Sequence, residues 1–83
     1  MRAEDVLPDH LNQNRFNGVT VRKGTVGAFL ANARIWTDSA SSDADRLSAE
    51  HDMIEALPAL RALGLFDILD IRNDALRAFV ASK

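Results

Sequence analysis

The sequence contains no cysteine, which excludes disulfide bonds and thiolate metal sites. It has no apolar run close to the roughly 20 residues that a membrane-spanning helix needs. The first twenty residues contain Glu4, Asp5 and Asp9 but no apolar stretch typical of a secretion signal. Eight arginines against two lysines, with abundant alanine, are common in GC-rich bacterial genomes. We therefore expect a bacterial cytoplasmic protein that makes no membrane contact.

The residue patterns of common catalytic centres are missing as well. There is no cysteine nucleophile and no Gly-x-Ser-x-Gly elbow around a serine. His51 with Glu55 one helical turn later offers only two metal ligands, and His10 stands alone in a predicted loop. We predict no catalytic residue, no metal and no cofactor, and the sequence gives no support for an enzyme.

The length of the chain limits how much core it can build. Its 83 residues are 47% hydrophobic and 27% charged, which is typical of a single globular domain over 1–83. A domain this short buries only about 60% of the surface that its unfolded chain exposes. Disulfides, metals or partner subunits often supplement such small cores. Because the chain has no cysteine and so no disulfides, we expect contact with a partner subunit to supplement its core.

Turn and cap residues predict a mainly α fold with a small β element. Asn17-Gly18 favours a two-residue hairpin turn, Thr25 is a predicted N-cap, and Gly64 is a predicted helix stop. The expected fold is a compact three- to four-helix domain with a short N-terminal hairpin or strand. The predicted segments are irregular structure over 1–14, a hairpin or strand over 15–22, and helices over 25–36, 43–63 with a kink at Pro58, and 73–82. Residues 65–72 fit either a helix or a strand.

The longest predicted helix, 43–63, has a predicted buried stripe of Leu47, Ile54 and Leu57, with Met53 and Leu60 at its edge. Glu50 falls inside the same arc, where Arg46 one turn earlier is available as a partner. Two interpretations stay open for Glu50: it pairs with Arg46 at the edge of the core, or this end of the helix projects past the core.

The predicted helix 25–36 is apolar on all sides. Phe29 and Ala33 lie at the centre of its main apolar arc, but the opposite side is not polar. A helix that is apolar all round is normally covered on both sides. We therefore predict self-association, with a homodimer as the simplest assembly. The predicted interface residues are Gly27, Ala28, Ala31, Ile35 and Trp36.

Charge is distributed unevenly along the chain. Between Asp9 and Asp38 the four charged residues, Arg15, Arg22, Lys23 and Arg34, are all basic. From Asp38 onward nine acidic residues oppose five basic ones. Such halves can complement each other within a fold or across a dimer. Four cations are few for nucleic acid, whose partners are far more basic, so we do not expect nucleic acid as the partner.

One cationic segment precedes a predicted helix and offers a second interpretation. This segment places two positive charges and free backbone N–H groups at a helix N-terminus, which favours a bound anion. The predicted anion-binding residues are Arg22, Lys23, Gly24 and Thr25. In the alternative interpretation Thr25 caps its own helix and the two cations form a solvated strand edge. The sequence therefore predicts a self-associating interaction or structural protein, with a binding module for a small anion or nucleic acid as the alternative. It does not identify a small-molecule ligand.

Overall fold

The computed structural model describes all 83 residues and shows a mainly α fold with one two-stranded antiparallel sheet. The predicted fold class is confirmed. None of the helices combines the length and the apolar character required to cross a bilayer. In chain order the elements are α1 (Ala3–Val6), β1 (Gln13–Phe16), β2 (Val19–Arg22), α2 (Thr25–Thr37), α3 (Asp43–Leu63), α4 (Leu65–Ile68) and α5 (Asp74–Ala81).

The hairpin β1–β2 is built by the Asn17-Gly18 turn. Asn17 has a φ of 48° and Gly18 a φ of 80°, so both residues occupy the left-handed region that a type I′ turn requires. The strands pair in register, with Phe16 opposite Val19. The amide Nδ2 of Asn17 donates to the carbonyl of Ala62 at 2.7 Å, which attaches the turn to the end of α3.

The N-terminal segment is more ordered than the predicted irregular structure over 1–14. The backbone N–H of Arg2 donates to the carboxylate of Asp5 at 2.9 Å, and α1 forms around this contact. The ammonium of Lys23 donates to the carbonyls of Pro8 at 3.2 Å and Asp9 at 2.9 Å. The prediction missed these contacts because the segment has no hydrophobic period and is held by polar contacts instead.

Helix α2 begins differently from the prediction. Gly24, in the left-handed conformation with a φ of 88°, is the N-cap, and no side chain caps the helix. Thr25 is the first helical residue, and its hydroxyl donates to the carbonyl of Arg22 at 2.7 Å. The prediction of Thr25 as N-cap is wrong because the turn after β2 needs the left-handed residue directly before the helix.

Helix α3 continues through Pro58 without a break. The proline ring removes one backbone donor, and a helix of 21 residues tolerates this loss. The hydroxyl of Ser42 accepts from the N–H of Asp45 at 3.1 Å and caps the start. Gly64, with a φ of 81°, ends the helix as predicted, and its N–H donates to the carbonyls of Leu60 and Arg61.

The ambiguous segment 65–72 forms one helical turn, α4, followed by extended chain that leads to α5. The side chain of Asn73 caps α5, because its Oδ1 accepts from the N–H of Leu76 at 2.9 Å. Leu76 and Val80 of α5 are buried. The core cluster consists of Phe29, Ala33, Met53, Leu57, Leu60, Leu76 and Val80.

The inward face of α3 is rotated from the predicted stripe. Its buried residues are Ala49, Met53, Leu57 and Leu60. Leu47 is 61% exposed and Ile54 is 40% exposed, so the prediction that both lie in the core is wrong. Ala49 is 2% exposed on the inward face, and a search for large apolar residues gives such a small residue too little weight.

Candidate functional site: the exposed surfaces of helix α2

One side of α2 is left uncovered by the rest of the chain. Phe29 and Ala33 face the core, whereas Gly27, Ala28 and Ala31 are exposed and Ile35 is 40% exposed. A Cβ atom placed on Gly27 would meet no neighbouring atom within 4 Å, so the space above this residue is open. We call the four residues Gly27, Ala28, Ala31 and Ile35 the outer face of α2.

Trp36, the fifth predicted interface residue, is occupied within the chain. It is half-buried, and its indole Nε1 donates to Oε1 of Glu50 at 2.8 Å. Its ring lies 5.3 Å from the ring of Phe79, and the guanidinium carbon of Arg46 lies 5.3 Å from its centre. Trp36 therefore holds α2 against α3 and α5 and is not part of the outer face.

The contacts of Trp36 show that neither interpretation of Glu50 holds. The predicted pair between Glu50 and Arg46 is not formed, because both side chains interact with Trp36 instead. Glu50 is half-buried, so this end of α3 does not project freely past the core. Sequence reasoning missed the partner because Trp36 lies 14 positions away along the chain.

The predicted anion-binding residues are adjacent at the start of α2, but most of their polar groups are engaged. Lys23 donates to two backbone carbonyls of the N-terminal segment, and the hydroxyl of Thr25 donates to the carbonyl of Arg22. The exposed guanidinium of Arg22 has no hydrogen-bond or ion-pair partner. These contacts favour a structural role for Lys23, Gly24 and Thr25.

The opposite charges of the two halves do not neutralise each other within the chain. All three ion pairs are local: Arg2 with Glu4, and Arg77 with both Asp70 and Asp74. None of the four cations between Asp9 and Asp38 forms an ion pair with an acidic residue. Arg15 and Lys23 donate to backbone carbonyls, so the guanidinium groups of Arg22 and Arg34 are the ones left without any partner in the chain.

His51 and Glu55, the residues with metal-ligand spacing, are both exposed on α3. No three His, Asp or Glu side chains lie close enough together to hold an ion. The arrangement thus gives neither residue a defined chemical role.

A groove that the sequence analysis missed runs between α2 and the chain from α4 to the start of α5. Its volume is about 440 Å³, and nine of its 14 lining residues are hydrophobic. Core residues such as Phe29 and Leu76 line it together with exposed Leu30 and Leu69. We call it the α2–α4 groove. A signal for it was present: Leu65–Ile71 carries more large apolar residues than one helical turn can bury.

The chain matches no protein-family model, and no curated protein or solved structure is significantly similar to it. The case for a function therefore depends on the surfaces described above.

Proposed function

We propose that this protein is a small interaction protein, without a catalytic role, that assembles as a homodimer through the outer face of α2. The exposed apolar face itself carries the proposal. Two-fold association would cover Gly27, Ala28, Ala31 and Ile35, and it would add buried area to a domain too small to bury much alone.

The spacing of the outer face suits contact between two identical helices. Gly27, Ala31 and Ile35 are four residues apart and form one line along α2. If two antiparallel copies cross at Ala31, each Ile35 lies above Gly27 of the other copy. The open space above Gly27 accommodates that side chain. Because a two-fold interface uses the same contact twice, one favourable fit stabilises both ends.

Charge supports a second copy as the occupant of this face. Arg15, Arg22, Lys23 and Arg34 lack acidic partners within the chain, while the part from Asp38 onward has an excess of acidic residues. A second copy supplies that acidic surface, and such complementarity favours association with defined orientation. The arginine-rich, cysteine-free composition supports a bacterial cytoplasmic setting for this dimer.

The mass of the protein in solution tests the proposal. Light scattering at micromolar concentration should give about twice the chain mass of 9.1 kDa. Ala31→Glu places a charge at the centre of the proposed contact and should produce a monomer. Ala78→Glu, a change of the same type at an exposed position of α5, is the matched control and should leave the dimer intact.

A second variant separates association from folding. Gly27→Gln should raise helix stability by about 0.5–1 kcal/mol, because glycine is a poor helix former. The same side chain would fill the space that Ile35 of the second copy occupies, so the dimer should dissociate while the fold is kept. A monomer mass for the unmodified protein over a hundredfold dilution range would overturn the proposal. So would an unchanged dimer mass for both Ala31→Glu and Gly27→Gln.

A further inference from the structure

The α2–α4 groove has the dimensions of a small-molecule site. Its volume of about 440 Å³ lies within the usual range of roughly 300–1,000 Å³ for ligand pockets. Its lining is mostly apolar, with a few polar residues, as is usual for sites that bind an apolar body with one polar group. Leu30 remains 52% exposed and Leu69 59% exposed, so the chain itself does not fill the groove.

Five of the lining residues are polar: Arg34, Thr37, Asp70, Arg72 and Asn73. The hydroxyl of Thr37 donates to the carbonyl of Ala33 at 2.8 Å. The Oδ1 of Asn73 accepts the N–H that it caps at the start of α5. The polar groups of Thr37 and Asn73 are therefore already engaged in hydrogen bonds to the backbone.

The charged lining residues leave an excess of positive charge. Asp70 accepts from the N–H of Ile71 at 2.9 Å through Oδ1, and its Oδ2 lies 3.9 Å from the guanidinium of Arg77. The guanidinium groups of Arg34 and Arg72 have neither an ion pair nor a hydrogen-bond acceptor in the chain. An apolar groove with two unpartnered guanidinium groups is complementary to an apolar molecule that carries negative charge.

We propose that the α2–α4 groove binds the alkyl chain of a free medium-chain carboxylate, with Arg34 and Arg72 binding its carboxylate group. Guanidinium groups bind carboxylates through paired hydrogen bonds, which a quaternary ammonium head group without acceptor oxygens cannot form. The acyl chain replaces water over Leu30 and Leu69, and burial of apolar surface favours binding. None of the four residues of the outer face lines this groove, so binding here does not require the proposed dimer, and Arg34 is the one residue that enters both arguments.

Decanoate, at concentrations below micelle formation, is a suitable probe for titration of the full chain by NMR. Saturable binding of one molecule per chain is expected, with amide shifts confined to residues 26–37 and 65–76. Decyltrimethylammonium has the same chain with the opposite charge, and it should bind at least tenfold more weakly. The amides of residues 13–22 in the hairpin serve as an internal reference and should not shift.

Two sets of variants assign the binding to the groove. The double variant Arg34→Gln/Arg72→Gln should lose at least tenfold in decanoate affinity, whereas Arg22→Gln, which removes an unpartnered arginine outside the groove, should bind as the unmodified protein does. Leu30→Glu should weaken binding at least tenfold, and Leu47→Glu, at an exposed leucine of α3, should not. Circular dichroism of each variant shows whether the fold is kept.

Several results would overturn the inference. One is the absence of amide shifts at millimolar decanoate, and another is equal affinity for decanoate and decyltrimethylammonium. Amide shifts spread over the whole surface, or full decanoate affinity in the double variant, would also overturn it. Cosedimentation with anionic phospholipid vesicles, without binding of free decanoate, would instead identify a membrane surface as the partner and would also overturn it. The mass measurements of the dimer are separate, so either proposal can fail alone.

Discussion

The indole N–H of Trp36 donates to Oε1 of Glu50 at 2.8 Å and joins the end of α2 to α3. The ring of Trp36 also contacts Phe79 of α5, and Arg46 of α3 lies over it. A single residue near the end of α2 therefore contacts both other long helices. This explains why the outer face of α2 ends before Trp36.

Removal of the Glu50 carboxylate should reveal the contribution of this hydrogen bond. Glu50→Ala should lower the free energy of unfolding by about 1–2 kcal/mol, because the half-buried indole N–H loses its acceptor. Glu50→Gln keeps an acceptor oxygen and should change stability by less than about 0.5 kcal/mol. Urea unfolding, followed by the fluorescence of the single tryptophan, measures both.

Glu55→Ala is the matched control for Glu50, since Glu55 is exposed on the same helix. It should alter the free energy of unfolding by no more than about 0.5 kcal/mol. If Glu50→Ala lowers the free energy of unfolding no more than Glu55→Ala does, the hydrogen bond to Trp36 does not stabilise the fold.

The rotation of α3 can be tested with two leucines. Leu57 is 2% exposed, and Leu57→Ala should cost about 2–5 kcal/mol through lost burial and a cavity. Leu47 is 61% exposed, and Leu47→Ala should cost less than about 1 kcal/mol. Urea unfolding of both variants compares them directly. Equal losses would show that α3 faces the core as the sequence pattern predicted.

Several features that depend only on neighbouring residues could be predicted from the sequence, although the N-cap of α2 was not among them. The Asn17-Gly18 turn and the stop at Gly64 both need positive φ, and these residue types adopt it at little cost. The caps at Ser42 and Asn73 need only a short polar side chain three residues before the bonded N–H. Local chemistry fixes each of these, so no tertiary information was required.

Features that depend on distant contacts could not be predicted in this way. The spacing of apolar residues in α3 is compatible with more than one buried face. Contacts with the other helices determine that the face containing Ala49 and Met53 is the buried one. The hydrogen bond between Glu50 and Trp36 and the one from Lys23 to the N-terminal segment also join residues far apart in the sequence. The exposure of the outer face of α2 could be predicted because its residues lie on successive turns of one helix. The α2–α4 groove could not, because it forms only where segments distant in sequence pack together.

The contact between Asn17 and Ala62 offers a test of how the hairpin is held against the helices. Asn17→Asp keeps a residue that tolerates positive φ, but it replaces the donor amide with an oxygen that faces the carbonyl of Ala62. We expect a loss of about 1 kcal/mol in the free energy of unfolding. Asn17→Ala loses the same bond and also places alanine at a φ of 48°, which adds about 1–2 kcal/mol. Urea unfolding gives the order of the two losses, and amide exchange at Val21 shows whether the hairpin opens before the helices do. If Asn17→Asp is neutral, the hairpin is not held by this bond; if both variants lose equally, the turn is not strained by alanine.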